Sequence, residues 1–232
     1  MLSEKRIEEQ MVEFKNIFTT QIQREGAKEL LEYLENETDF FEAPASTQYH
    51  CSYKGGLVEH SLNVYRRLVN LFNAEYGREK VVSDGDNNTK VVLDTTNDRG
   101  YTMETLAIVA LLHDVCKTNM YEIDYKNVKV YSPDGSKYDA KGTFDWESVP
   151  YYKVEEKLHF GHGAKSVFII QNFMPLTLEE TMAIRFHNGG KEFANASLCE
   201  DVSKPFSKFP LAVLTHTADM MATFIDEAVI NE

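Results

Sequence analysis

Residues 105–117 read TLAIVALLHDVCK, an apolar run from Leu106 to Leu112 that ends on the adjacent pair His113 and Asp114. Leu106, Val109, Ala110 and His113 fall at spacings of three and four, so they share one face of a helix. That face turns an imidazole towards the core, with a carboxylate beside it. The stretch upstream behaves in the same way. From about Leu57 to Tyr76 a second helix is predicted, on which Leu57, His60, Val64, Leu68 and Leu71 align, and His60 again points inward. Residues 4–36 read as one or two further helices, with Ser3 as N-cap and Gly26 as a break. Their stripe of Ile7, Met11, Phe14, Ile17 and Phe18 belongs to a core or an interface.

Downstream of the pair, helix resumes after His162 and runs to about Phe173. Another helix opens at Thr177, where TLEE has the capping-box form, and carries His187 near its end. The last helix, from roughly Pro210 to Ile230, carries Asp219. Two segments break the helical pattern. REKVVSDGDNNTKVVLDTTNDRG, residues 78–100, is a turn-rich insertion with two short Val-rich pieces. Tyr- and Val-rich runs flank the turn Pro133-Asp134-Gly135, which predicts a small β-hairpin or three-stranded flap around residues 121–160. The expected fold class is all-α: a helical bundle with that flap inserted. Residues 1–45 form an N-terminal helical extension and 46–232 a single compact unit, without internal repeats.

Composition bounds the function. The 232 residues are 43% apolar and 12% aromatic, enough for an ordered core. A formal net charge of −13 without a basic stripe argues against a long nucleic-acid partner. Much of the acidity lies on helical faces such as EKRIEEQ and ELLEYLENE, where it serves solubility. No apolar run approaches the roughly 20 residues that span a bilayer, and the N-terminus lacks the apolar stretch of a secretory signal. Cys51, Cys116 and Cys199 lack CxxC spacing and read as reduced thiols of a cytoplasmic protein.

His60, the His113-Asp114 pair, His162, His187 and Asp219 lie on separate segments, and nitrogen and carboxylate donors of this kind suit a first-row divalent metal. His50, His159 and His216 stand outside the pattern. The order H…HD…H…H…D resembles the ligand string of the HD superfamily of metal-dependent phosphohydrolases. That resemblance implies a helical HD domain with one or two divalent ions (Mn, Fe, Ni, Mg or Zn). His60, His113, Asp114 and Asp219 match the residues that hold the primary metal. His162 and His187 match the pair that holds a second metal with a bridging Asp114, or that contacts the substrate phosphate where one metal binds. HCSYKGGLVEH, residues 50–60, is similar to a segment of bacterial 3′–5′ exoribonucleases that join an OB-fold to an HD domain, with Cys51 where they carry a second histidine. GHGAKS, AIRFH and PLAVLTHTAD resemble small bacterial and phage HD hydrolases, a likeness that names no substrate.

The chemistry implied is hydrolysis of a small phosphate ester, a nucleotide foremost, by metal-activated water. Asp114 and Lys117 are the catalytic candidates. Lys117 completes HDxxK and would stabilise charge on a substrate oxygen. Lys165 in GHGAKS, His50 and Lys54 are candidate substrate contacts, and Gly161 and Gly163 allow close backbone approach around His162. The aromatic flap (Tyr121, Tyr125, Tyr131, Trp146, Tyr151, Tyr152) is expected to pack against the helices, with base stacking as the alternative. Two other activities share the motif string: an HD-type di-iron oxygenase, and an exonuclease or phosphodiesterase on short oligonucleotides. Self-association through the N-terminal stripe fits as well.

Overall fold

The computed structural model describes residues 3–83, 89–156, 158, 160–189 and 202–228. Helix α1, Glu4–Gln21, starts where the Ser3 hydroxyl accepts from the Arg6 amide, and it buries Phe14 and Phe18. Gly26, at φ 85°, turns the chain into α2, Ala27–Asn36, which buries Leu30 and Leu34. A side chain at Gly26 would collide with the Phe173 carbonyl, 1.8 Å from the Cβ position. Helix α3, Gly56–Tyr76, buries Leu57, His60, Val64 and Leu68 along the expected face.

Helix α4, Met103–Leu112, is capped by the Thr102 hydroxyl. Every residue from Thr105 to Leu112 is buried, so neighbours enclose this helix on all sides rather than covering one stripe. A 3₁₀ turn, Val115–Lys117, follows at once. Helix α5 (His162–Gln171), α6 (Leu178–Arg185, with the Thr177–Glu180 capping box), α7 (Ser203–Lys208) and α8 (Pro210–Met221) complete the helical body. The last helix is shorter than expected. At Ala222–Asp226 it gives way to a π-helical turn. One hydrophobic cluster joins Phe14, Phe18, Leu30 and Leu34 to Leu57, Leu68, Leu111, Ile184 and Leu211.

The all-α expectation is overturned. Helix accounts for 51% and strand for 17%, with two antiparallel sheets, so the fold is helix-rich but mixed α/β. The two Val-rich pieces pair with each other as β1, Arg78–Ser83, and β2, Thr89–Asp94. The flap is a long arm of β3 (Tyr121–Tyr131), β4 (Lys137–Asp139) and β5 (Gly142–Val154) in the order β3-β5-β4. Backbone pairing over eleven and thirteen residues makes these strands, and it needs no burial in the helical core.

Half of the arm's aromatics depart from the expected packing, while Tyr121, Tyr151 and Tyr152 are half-buried. Ile123 pairs with Tyr152, Tyr125 with Pro150, Lys129 with Trp146 and Tyr131 with Phe144, which sets them on one face of the sheet. Ile123, Tyr125, Tyr131 and Trp146 on that face are exposed. On the same face the Lys129 Nζ lies 4.3 Å from the Phe144 ring centre and 5.7 Å from that of Trp146. No helix among the described residues is long and apolar enough to cross a membrane.

Candidate metal centre

Five segments bring the six histidine and aspartate candidates together. His60 comes from α3, His113 and Asp114 from the end of α4, His162 from the first residue of α5, and Asp219 from α8. His187 sits two residues beyond the last residue of α6. Gly163 makes the approach of α5 to α6 possible, because a Cβ there would lie 2.4 Å from the Arg185 carbonyl oxygen.

Asp114 is the centre of the arrangement. Its Oδ1 lies 3.2 Å from His162 Nε2 and 3.3 Å from His187 Nε2. Its Oδ2 lies 3.3 Å from His113 Nε2, 3.7 Å from His60 Nε2 and 2.7 Å from Lys117 Nζ. His60 Nε2 also approaches Asp219 Oδ1 at 3.2 Å and His113 Nε2 at 3.2 Å. His60, His113, Asp114 and His187 are at most 2% exposed. Around a metal with bonds of about 2.0–2.2 Å, neighbouring ligand atoms lie roughly 3–3.5 Å apart, and nearly all these separations fall in that range.

Hydrogen bonding on the far side of each ring fixes which nitrogen faces the cluster. His113 Nδ1–H donates to the Ala110 carbonyl at 2.8 Å, and His187 Nδ1–H donates to the Ile184 carbonyl at 2.7 Å. His60 Nδ1–H donates to the Glu227 carboxylate at 3.0 Å. A neutral imidazole with its proton on Nδ1 turns a bare lone pair outward from Nε2. Once a cation takes the place of the proton that Asp219 holds on His60 Nε2, three such lone pairs meet two carboxylates in a buried space. Asp114 Oδ1 and His187 Nε2 are buried without a hydrogen-bond partner even though they touch. The donor set fits a cation.

The titration behaviour agrees with crowded negative charge. Burial alone would lower His60, but hydrogen bonds to Asp219 and Glu227 outweigh it and raise the ring to about 10. Burial would raise Asp114, yet the Lys117 charge holds it well below the usual carboxylate range. Asp219 is lowered in the same way, chiefly by its bond to His60 against the cost of burial. His113 and His162 are lowered by burial.

The cluster forms the floor of a cavity of about 760 Å³, lined by His60, Asp114, Lys117 and Asp219 and walled by Tyr49, His50, Phe206 and Phe224. Lys117 is no surface lysine: it is 8% exposed and tied to Asp114. His50 lies on the cavity wall, its ring centre 4.8 Å from that of His60. Burial lowers His50 to about 4, so the ring is neutral near pH 7. Lys165 is buried and committed to Glu156 at 2.8 Å. Lys54 is placed elsewhere, exposed and paired with Glu42 at 2.9 Å. Cys116 is a buried thiol pushed up to about 12 by that burial, and its Sγ lies within 4.8 Å of ligand atoms of Asp114 and His162. His159 and Cys199 lie outside the described residues.

Sequence reasoning missed Glu227 and Asn63 behind His60, and His216, whose Nδ1–H donates to the His187 carbonyl at 2.6 Å. Asn63 is one helical turn from His60, so it carried a signal. Glu227 carried none, because only the π-helical turn delivers it. No family model, curated protein or solved structure matches this chain.

Proposed function

We propose that the chain is a metal-dependent phosphohydrolase acting on a small phosphate ester, with nucleotides the foremost substrate class. The observation that carries this reading is the convergence of His60, His113 and His187 Nε2 on the Asp114 and Asp219 carboxylates, with each Nδ1 bonded away from the cluster, at the floor of an open cavity. His60, His113, Asp114 and Asp219 would hold one divalent ion, and His162 and His187 with Asp114 a second. Bound there, such an ion supplies a Lewis-acid centre and lowers the pKa of water.

The protein's own groups do the remainder. Backbone carbonyls and Glu227 keep the rings from rotating, so the donors are pre-arranged. Lys117 Nζ adds a positive charge beside Asp114, where a substrate oxygen would come to lie. A volume of about 760 Å³ fits a small ligand and no long polymer. Charge gives the dependence on metal. Asp114, Asp219 and Glu227 outnumber Lys117 and the protonated His60 ring, which leaves the metal-free site one charge negative. A phosphate dianion is repelled from that floor until cations reverse its sign.

The test is elemental analysis of the purified protein beside a phosphate-release screen with added manganese, magnesium and iron. Metal-dependent release from a nucleotide or sugar phosphate is expected, and its loss in His113→Ala with the circular dichroism spectrum retained. Unchanged turnover in that variant would refute the assignment. Two tightly held irons with oxygen consumption and no phosphate release would replace it.

A further inference from the structure

Glu227 does not face the cluster, yet its carboxylate is buried, with the side chain 2% exposed. Its two oxygens lie 3.0 and 3.1 Å from His60 Nδ1, and Oε1 also accepts from Asn63 Nδ2 at 3.0 Å. The π-helical turn Ala222–Asp226 places it there, continuing the same chain segment that carries Asp219. Single π-turns of this kind recur where a side chain must be re-aimed at a functional site. Helix α3 grips the turn with one face. His60 and Asn63 hold Glu227, and Arg67 Nε donates to Asp226 Oδ2 at 2.8 Å.

We propose that Glu227 is a positioning residue of the metal centre, holding His60 by Nδ1–H so that its Nε2 lone pair stays on the cluster as a stronger donor to a divalent cation. This rests on the metal-binding reading of the site. The choice of residue supports it. Burying a carboxylate carries a desolvation cost that a neutral amide or an apolar side chain packed in the same turn would avoid. A full negative charge behind the ring matters when the opposite nitrogen shares its electrons with a cation. Carboxylate–histidine–metal relays work in this way, and losing the outer partner weakens metal binding about 10–100-fold.

The experiment is competition of Co²⁺ and Mn²⁺ against a chromophoric chelator, with the visible spectrum of the Co²⁺ form recorded in parallel. Glu227→Gln keeps an acceptor and removes the charge. It should weaken both ions by about 10–100-fold and shift the Co²⁺ bands. Asn63→Leu, which withdraws the bond orienting Glu227, should give a smaller loss in the same direction. It also keeps the idea testable if Glu227→Gln folds poorly. Asp226→Asn releases the same turn from Arg67 without touching His60, and should cost clearly less affinity than Glu227→Gln. Wild-type affinity in Glu227→Gln, or an equal loss in Asp226→Asn, overturns the proposal. Wild-type protein that takes up neither ion removes the metal reading together with it. Metal binding that depends on Glu227 but brings no phosphate release supports this role and removes only the hydrolase assignment.

Discussion

Replacing Asp114 by asparagine keeps the shape of the side chain and removes its charge, and the structure gives the consequence. Lys117 Nζ lies 2.7 Å from Asp114 Oδ2, and the two residues are 8% and 2% exposed. Burial by itself would lower the ammonium's pKa, and the Asp114 carboxylate is the main reason it is raised instead. Asp114→Asn strands that ammonium in the interior. Breaking a buried pair from one side costs about 3–5 kcal/mol. At about 2–4 °C per kcal/mol for a chain of this size, the metal-free variant should melt about 6–20 °C lower. Asp114→Asn combined with Lys117→Met removes both charges and should recover most of the loss, since neutral replacement of a buried pair is often without net cost. Neither variant should hold metal, because both lack the anionic oxygens that His162 and His187 face. Thermal melts at pH 8 with EDTA, read by circular dichroism, decide the first part, and chelator competition decides the second. A single variant that melts with the wild type, or a double variant no more stable than the single, would refute Asp114 as the counter-charge of Lys117.

Three further outcomes test the scaffold. Gly26→Ala forces a side chain into a left-handed position, a strain of roughly 1–2 kcal/mol, and against the Phe173 carbonyl. Its urea midpoint should fall by more than that strain alone explains, and an unchanged midpoint would contradict the close α1–α2 corner. Arg24→Met leaves Glu180, which is fully buried and accepts Arg24 Nη1 at 2.6 Å and Nη2 at 2.9 Å, without its counter-ion. A loss of about 3–5 kcal/mol in urea melts is expected, and less than about 1 kcal/mol would deny the pair its role. On the arm, Asp139 is held down to about 2, first by its bond to Lys129. A depressed carboxylate stabilises above its unfolded value of about 3.9, and that contribution is lost as the pH falls towards 2. A carbon-13 titration should show the low midpoint, and Lys129→Gln should lift it; a midpoint near the ordinary value in the wild type would remove the interaction.

What the sequence disclosed follows from what periodicity can encode. His60 repeats in phase with the buried residues of α3, so its inward direction was legible from spacing, whereas α4 is buried on every side from Thr105 to Leu112 and its spacing singled out no face for His113. The capping box at Thr177 was legible because it is a local hydrogen-bond pattern. The strand segments were recognisable one by one, but the all-α label failed because the sheets are held by backbone pairing. The Tyr- and Val-rich runs about the Pro133-Asp134-Gly135 turn did announce the flap, but not the eleven-residue pairing of β3 with β5 nor the separate β1-β2 sheet. Lys54 escaped for a different reason. The loop before α3 passes through positive φ at Cys51 and Gly55, and that path takes Lys54 away from His60 to Glu42.

Glu227 marks the limit of such reasoning most clearly. An α-helix continued from Asp219 would put residue 227 at an angle fixed by 3.6 residues per turn, and spacing arguments assume that phase. The π-helical turn widens the helix at Ala222–Asp226 and breaks the phase between Asp219, which faces the cluster, and Glu227, which stands behind His60. One helix end thus supplies a donor to the front of the site and a carboxylate to the back of a histidine in the same site. The two functions are separated by a change in helical register rather than by a change of element. That geometry explains why the acidic pair Asp226–Glu227, read along the sequence, looks like ordinary surface charge. In the fold, Asp226 anchors the turn to Arg67, while Glu227 sets the orientation of His60.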